Sequence, residues 1–129
     1  MELLIEHIAI ICSDFEKSKH FYTTILGLTI IRQVYRESRN SYRLELSVGN
    51  GQFIELFSFP EFAQRPNYPE AVGLRHLAFK VKDISKTVKE LDSKGIKTED
   101  VRTDPETGIK FTFFKDPDEL PIEIREIIK

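Results

Sequence analysis

Apolar positions recur along this chain in two spacings, and the order in which those spacings alternate occurs twice. From Leu3 to Ile11 the pattern reads as a strand, with His7, Ala9 and Ile11 on one face and Ile8 and Ile10 on the other. Ser13-Asp14 offers a helix N-cap, and Phe15, Ser18, Tyr22, Ile25 and Leu26 fall on one helical stripe that Gly27 ends. Thr29–Tyr35 is the next strand, and Glu37–Asn40 a polar turn. Tyr42, Leu44, Leu46 and Val48 then alternate with Arg43, Glu45 and Ser47, which predicts a half-buried strand. Asn50-Gly51 predicts a tight hairpin into a strand over Gln52–Phe57. Residues 60–73, with three prolines and no periodicity, read as a linker.

The plan then repeats. Leu74–Val81 predicts a strand; Asp83 caps a helix with Ile84, Val88 and Leu91 inward, stopped by Gly95. Strands follow over Ile96–Val101, Lys110–Lys115 and Leu120–Ile127, separated by turns at 104–108 and Asp116-Pro117-Asp118. The expected fold is α+β: paired βαβββ modules over 1–59 and 74–129, joined by the linker 60–73 into a single domain spanning 1–129.

The repeat carries chemistry with it. Each module opens on a histidine-bearing strand, His7 and His76, and closes on a strand with one glutamate among apolar residues, Glu55 and Glu123. His7 and Glu55 are 48 positions apart, His76 and Glu123 47. Alternation turns all four away from the helix-covered faces. One such residue alone reads as a core or surface side chain, but two matched pairs on matching faces call for a joint explanation. Glutamates on apolar strands are seldom buried without a partner or a cation. Two imidazoles and two carboxylates lining the concave side of curled modules suit a divalent metal. Those donors do not select the ion: Ni²⁺ and Zn²⁺ lead, and Co²⁺, Mn²⁺ and Fe²⁺ are admissible.

Composition narrows the class. The net charge is −2 with mixed signs, so nucleic acid is not an expected partner. No apolar run reaches membrane-spanning length, and Met1-Glu2-Leu3-Leu4 lacks the basic start of a signal peptide. The single cysteine, Cys12, forms no intrachain disulfide and fits a reducing, cytoplasmic setting.

Over essentially its whole length the chain resembles the glyoxalase I-like (lactoylglutathione lyase-like) branch of the vicinal oxygen chelate superfamily. The residues that carry the likeness are His7-Ile8-Ala9-Ile10, Phe21-Tyr22 with Leu26-Gly27-Leu28, Ile54-Glu55-Leu56, Arg75-His76-Leu77-Ala78-Phe79, Asp116-Pro117-Asp118 and Ile122-Glu123-Ile124. The resemblance implies an open cup of paired modules around one divalent metal held by His7, Glu55, His76 and Glu123. It implies isomerase or lyase chemistry on a thiol–2-oxoaldehyde hemithioacetal, such as the methylglyoxal–glutathione adduct, giving a 2-hydroxyacyl thioester through an enediolate. In that reaction Glu123, and after it Glu55, would shuttle the proton. It further implies methylglyoxal detoxification and a homodimer, with sites completed within one chain or by module exchange. The same cup also serves 2-acyl epimerases, thiol transferases acting on antibiotics and non-catalytic small-molecule binders. Arg125, two residues beyond Glu123, and Arg36, Arg39, Arg43, Arg65 and Lys110 are candidates for contacting an anionic substrate, with Arg39 and Arg65 favoured because they sit in loops. One departure stands out. Relatives commonly continue Asp-Pro-Asp with Gly-Asn, whereas Glu119-Leu120 follow here, and a left-handed turn without glycine is costly.

Overall fold

The computed structural model describes residues 1–128. The chain divides into two units, Met1–Gln64 and a second from Arg65 onward, a division that falls inside the segment read as a linker. Each unit is a βαβββ module, and together they give the expected α+β class.

Unit 1 contains β1 (His7–Cys12), α1 (Phe15–His20), β2 (Thr29–Arg36), β3 (Ser41–Gly49) and β4 (Gln52–Ser58). Its sheet order is β1-β4-β3-β2, with β1 parallel to β4 and the other pairs antiparallel. β1 is shorter than expected: residues 3–6 lie outside it, with only the Glu6 carbonyl taking a ladder bond, from Phe53 N–H at 3.1 Å. Asp14 caps α1 by accepting from Lys17 N–H at 3.1 Å. The helix then widens into a π turn over Phe21–Ile25 before Gly27 adopts φ +77°. Phe15, Ser18, Phe21 and Tyr22 pack onto one face of the sheet, over Ile10, Leu44, Leu46, Ile54 and Leu56, all buried. Asn50 and Gly51 both take positive φ, 55° and 76°, as a type I′ hairpin requires.

Unit 2 contains β5 (Leu77–Val81), α2 (Ile84–Ser93), β6 (Arg102–Thr103), β7 (Lys110–Lys115) and β8 (Pro121–Glu126), in sheet order β5-β8-β7-β6. Asp83 caps α2 through Lys86 N–H at 3.0 Å, and Ile84 and Leu91 are buried against the sheet face of Thr112, Phe114, Ile122 and Ile124. Two expectations need correction. His76 lies one residue before β5 rather than inside it. The strand expected over 96–101 is absent, and only Arg102–Thr103 pairs with β7. Glu99 spends its backbone N–H on Phe113 O at 2.9 Å and its carbonyl on the Thr112 hydroxyl at 2.7 Å, which holds the segment beside β7 without a ladder.

The Asp116 turn keeps the left-handed geometry despite lacking glycine. Glu119 sits at φ 69°, while the Asp116 carboxylate accepts from Asp118 and Leu120 N–H at 2.8 and 2.9 Å. Among the described residues no helix is long and apolar enough to cross a membrane.

Candidate metal centre

Each sheet has one face covered by its helix and one left open, and alternation puts the candidate donors on the open faces. In unit 1, Ala9, Glu55, Glu45 and Arg32 are successive cross-strand partners from β1 to β2 and so share a face. His7, Phe53, Phe57 and Arg43 lie on the same side. His7 Nε2 is 3.0 Å from Glu55 Oε1, and its ring stacks on Phe53 at 5.0 Å. In unit 2, Glu123 pairs across the strands with Ala78 and Phe113. His76 Nε2 is 3.5 Å from Glu123 Oε1, and its ring meets Phe113 edge-on at 5.1 Å. The structure thus brings each histidine to the glutamate of its own unit. Glu123 is buried, and Glu55 is nearly so.

These separations fit a shared ion. Imidazole nitrogen and carboxylate oxygen, each about 2.1 Å from a metal, stand about 3.0 Å apart at a right angle and about 3.4 Å apart at a tetrahedral one. Among the described residues no group of three or more His, Cys, Asp or Glu side chains is gathered to hold a metal. Each unit therefore offers a two-donor half.

The halves differ in how the imidazole is held. His7 Nδ1 lies 2.9 Å from Glu6 Oε1 and Nε2 3.0 Å from Glu55 Oε1, so each ring nitrogen faces a carboxylate oxygen. His76 Nδ1 lies 3.2 Å from Arg75 Nη1, which can only donate, so Nδ1 must accept and Nε2 bears the hydrogen. For Nε2 of His76 to present a lone pair, the exposed Arg75 side chain, also paired with Glu70 at 3.2 Å, has to swing away.

Charged neighbours surround both pairs. Glu45 is buried on β3 and is gripped by Arg32, with Nε to Oε2 at 3.2 Å and Nη2 to Oε1 at 2.9 Å. That hydrogen bonding holds the Glu45 carboxyl below the usual carboxylate range and Arg32 above its ordinary value. Arg43 stands between Glu45 and Glu55, 3.9 Å from each. In unit 2, Arg125 reaches Glu123 Oε2 at 3.3 Å and Asp104 Oδ2 at 3.5 Å. Asp104 is held low, first by the Glu106 backbone N–H, which donates to it.

The other arginines singled out from sequence are occupied differently. Arg65 clasps its own loop, donating to Asn67 Oδ1 at 2.7 Å and to the Leu74 and Arg75 carbonyls at 3.0 and 2.6 Å. It also lines a cleft of about 520 Å³ in unit 2, with Arg75, Arg102 and Phe113. Arg39 lies over the Phe59 ring at 5.2 Å. Sequence reading passed over Arg32, Glu45, Phe53, Phe113 and Asp104, and counted Arg43 and Arg36 among the anion-contact candidates without favouring them. The signal was present for Arg43 and Glu45, which share the parity of Glu55 once β3 and β4 are paired. It was masked because polar alternation reads equally well as a solvated face.

Two mixed four-stranded sheets, each with a helix on one face and a His–Glu pair on the other, define a paired-βαβββ protein. The chain belongs to the Glyoxalase/Bleomycin resistance protein/Dioxygenase superfamily, which it matches over residues 4–124. That superfamily includes metal-dependent enzymes. The chain is 59% identical to the uncharacterized protein YwkD of Bacillus subtilis (strain 168) over 122 residues, 95% of each chain. It is 54% identical to the uncharacterized protein YaeR of Escherichia coli (strain K12) over 123 residues, again 95% of each. It is also similar to the crystal structure of a glyoxalase family protein from Enterococcus faecalis, with a TM-score of 0.89, 46% identity, and coverage of 95% of this chain and 97% of that one.

Proposed function

We propose that the protein is a divalent-metal-dependent isomerase or lyase of the glyoxalase I type, with His7, Glu55, His76 and Glu123 as the metal's ligands. The observation that supports this reading most is the duplicated pair, His7 Nε2–Glu55 Oε1 at 3.0 Å and His76 Nε2–Glu123 Oε1 at 3.5 Å, on the open faces of two like modules. A homodimer is part of the same reading. Ni²⁺ and Zn²⁺ are the leading ions, with Co²⁺, Mn²⁺ and Fe²⁺ compatible with the same donors.

A divalent ion held by these four residues would supply Lewis acidity toward a 2-oxoaldehyde–thiol hemithioacetal. Glu123 then takes the proton from the carbon that bears sulfur and returns it to the neighbouring carbon. One C–H bond breaks and one forms, the hydroxyl proton passes between the oxygens, and the product is a 2-hydroxyacyl thioester isomeric with the substrate. Burial of Glu123 keeps bulk water from exchanging that proton, and Arg125 and His76 fix the carboxylate from either side.

The experiment is turnover of the methylglyoxal–glutathione adduct by protein loaded with Ni²⁺ or Zn²⁺, followed at the thioester absorbance. Absorbance should grow with metal and cease with a chelator. Stoichiometric metal without thioester formation would remove the glyoxalase reading, and failure to bind any of the five ions would remove the metal centre.

A further inference from the structure

We propose that Arg43 and Arg36, on the open face of unit 1, form an oxyanion seat beside the His7–Glu55 pair, for a carboxylate or phosphate group of the bound molecule. The identity of that molecule as a substrate rests on the function proposed above; the seat does not.

Arg32, Arg36 and Arg43 share this face with Glu45 and Glu55. Arg32 is committed to Glu45 by two hydrogen bonds. Arg43 has two long ion pairs, but its Nε donates no hydrogen bond. Its Nε lies 3.9 Å from Glu55 Oε2 and its Nη2 3.9 Å from Glu45 Oε1, beyond hydrogen-bonding range, and both acids have nearer partners. Arg36 donates once, from Nη2 to Ser41 Oγ at 3.3 Å, and lies over the Phe57 ring at 5.1 Å. Phe57 is also the cross-strand partner of Arg43, so both arginines border one ring.

In both arginines Nε is buried without an acceptor; Ser18 Oγ is the one other such side-chain atom among the described residues. A buried donor left unpaired is costly, and a guanidinium fork answers an oxyanion's two oxygens side-on. The Arg43 side chain remains 30% exposed, so its outer amino groups can receive the anion, and a turn of the fork brings Nε–H onto it. If Glu55 is spent on a cation, Arg43 has still less negative charge to face. Phe57 and Phe59, stacked at 5.8 Å, supply an apolar strip along which the rest of a small molecule can lie.

The test uses the ¹⁵N-labelled, metal-free full chain, reading arginine Nε–Hε resonances during separate titrations with inorganic phosphate and acetate. Saturable shifts at Arg43 and Arg36, without one at Arg32, are expected. Tighter binding of phosphate identifies a phosphate ester as the ligand class, and tighter binding of acetate a carboxylate. Arg43→Gln should weaken binding by about tenfold or more, Arg43→Lys by less, and Lys89→Gln on exposed α2 not at all. Silence of both resonances with either anion, or wild-type affinity in Arg43→Gln and Arg36→Gln, overturns the seat. Ni²⁺ affinity is measured separately. Anion binding in a protein that takes no metal leaves the seat standing and removes the isomerase reading; metal uptake without anion binding does the reverse.

Discussion

At the scale of single residues, the two histidines share a position in the repeat yet not a hydrogen-bonding state. Nδ1 of His7 meets an acceptor, Glu6, whereas Nδ1 of His76 meets a donor, Arg75. Replacing Arg75 with Gln should therefore tighten Ni²⁺ binding, by up to about tenfold, in a calorimetric titration; unchanged or weaker binding would show that Arg75 does not hold the tautomer. Glu123→Gln should lower turnover of the hemithioacetal by about 10²–10⁴-fold with the fold intact by circular dichroism. Glu45 gives a pH signature. Its folded-state pKa is depressed, so its contribution is present above the unfolded value, near 4.3, and is lost as pH falls through the lower folded one. Arg32→Gln should be less stable than wild type at neutral pH, with the difference closing as the medium becomes more acid. A gap in melting temperature that stays constant down to pH 2 would contradict this.

Among the elements, alternation was the most readable feature. Leu44, Leu46, Ile54 and Leu56 are buried and Glu55 faces away from them, as period-two spacing requires. Both Asp caps and the Asn50-Gly51 hairpin follow from local side-chain chemistry that a sequence displays directly. β6 was not readable in the same way. The segment 96–101 has strand-like composition, but the Thr112 hydroxyl and Phe113 carbonyl of β7 take its polar groups, and those partners lie more than ten residues downstream. The Asp116 turn shows the opposite case, where sequence signalled strain and the strain is real, since Glu119 holds φ 69°. Glu119→Gly should stabilise the protein by about 0.5–1 kcal/mol in urea unfolding, because glycine removes the left-handed penalty at a smaller entropic cost. The Lys115 pair it would remove, at 3.0 Å, is exposed and offsets little.

For the molecule as a whole, the exposed apolar residues before β1 call for cover. Leu3, Leu4 and Ile5 are 82%, 95% and 67% exposed in the single chain. A run of this kind is characteristic of an interaction surface, and a second copy is the partner the family likeness suggests. Light scattering should return twice the chain mass of 15.0 kDa, and Leu4→Asp should shift it toward one. A wild-type monomer at micromolar concentration would remove the homodimer from the proposal.

The chain alone determined the doubled βαβββ plan, the helix caps and the strand faces on which His7, Glu55 and Glu123 lie. Each of these depends on spacing of a few residues or on the period of a strand. Tertiary structure decided what each side chain meets. It brought Glu45 under Arg32, set Arg125 between Glu123 and Asp104, gave the two histidines different ring partners and left Arg43 and Arg36 with buried donors unspent. Those outcomes depend on strand pairing between residues distant in sequence and on the competition of several charges for the same few acceptors.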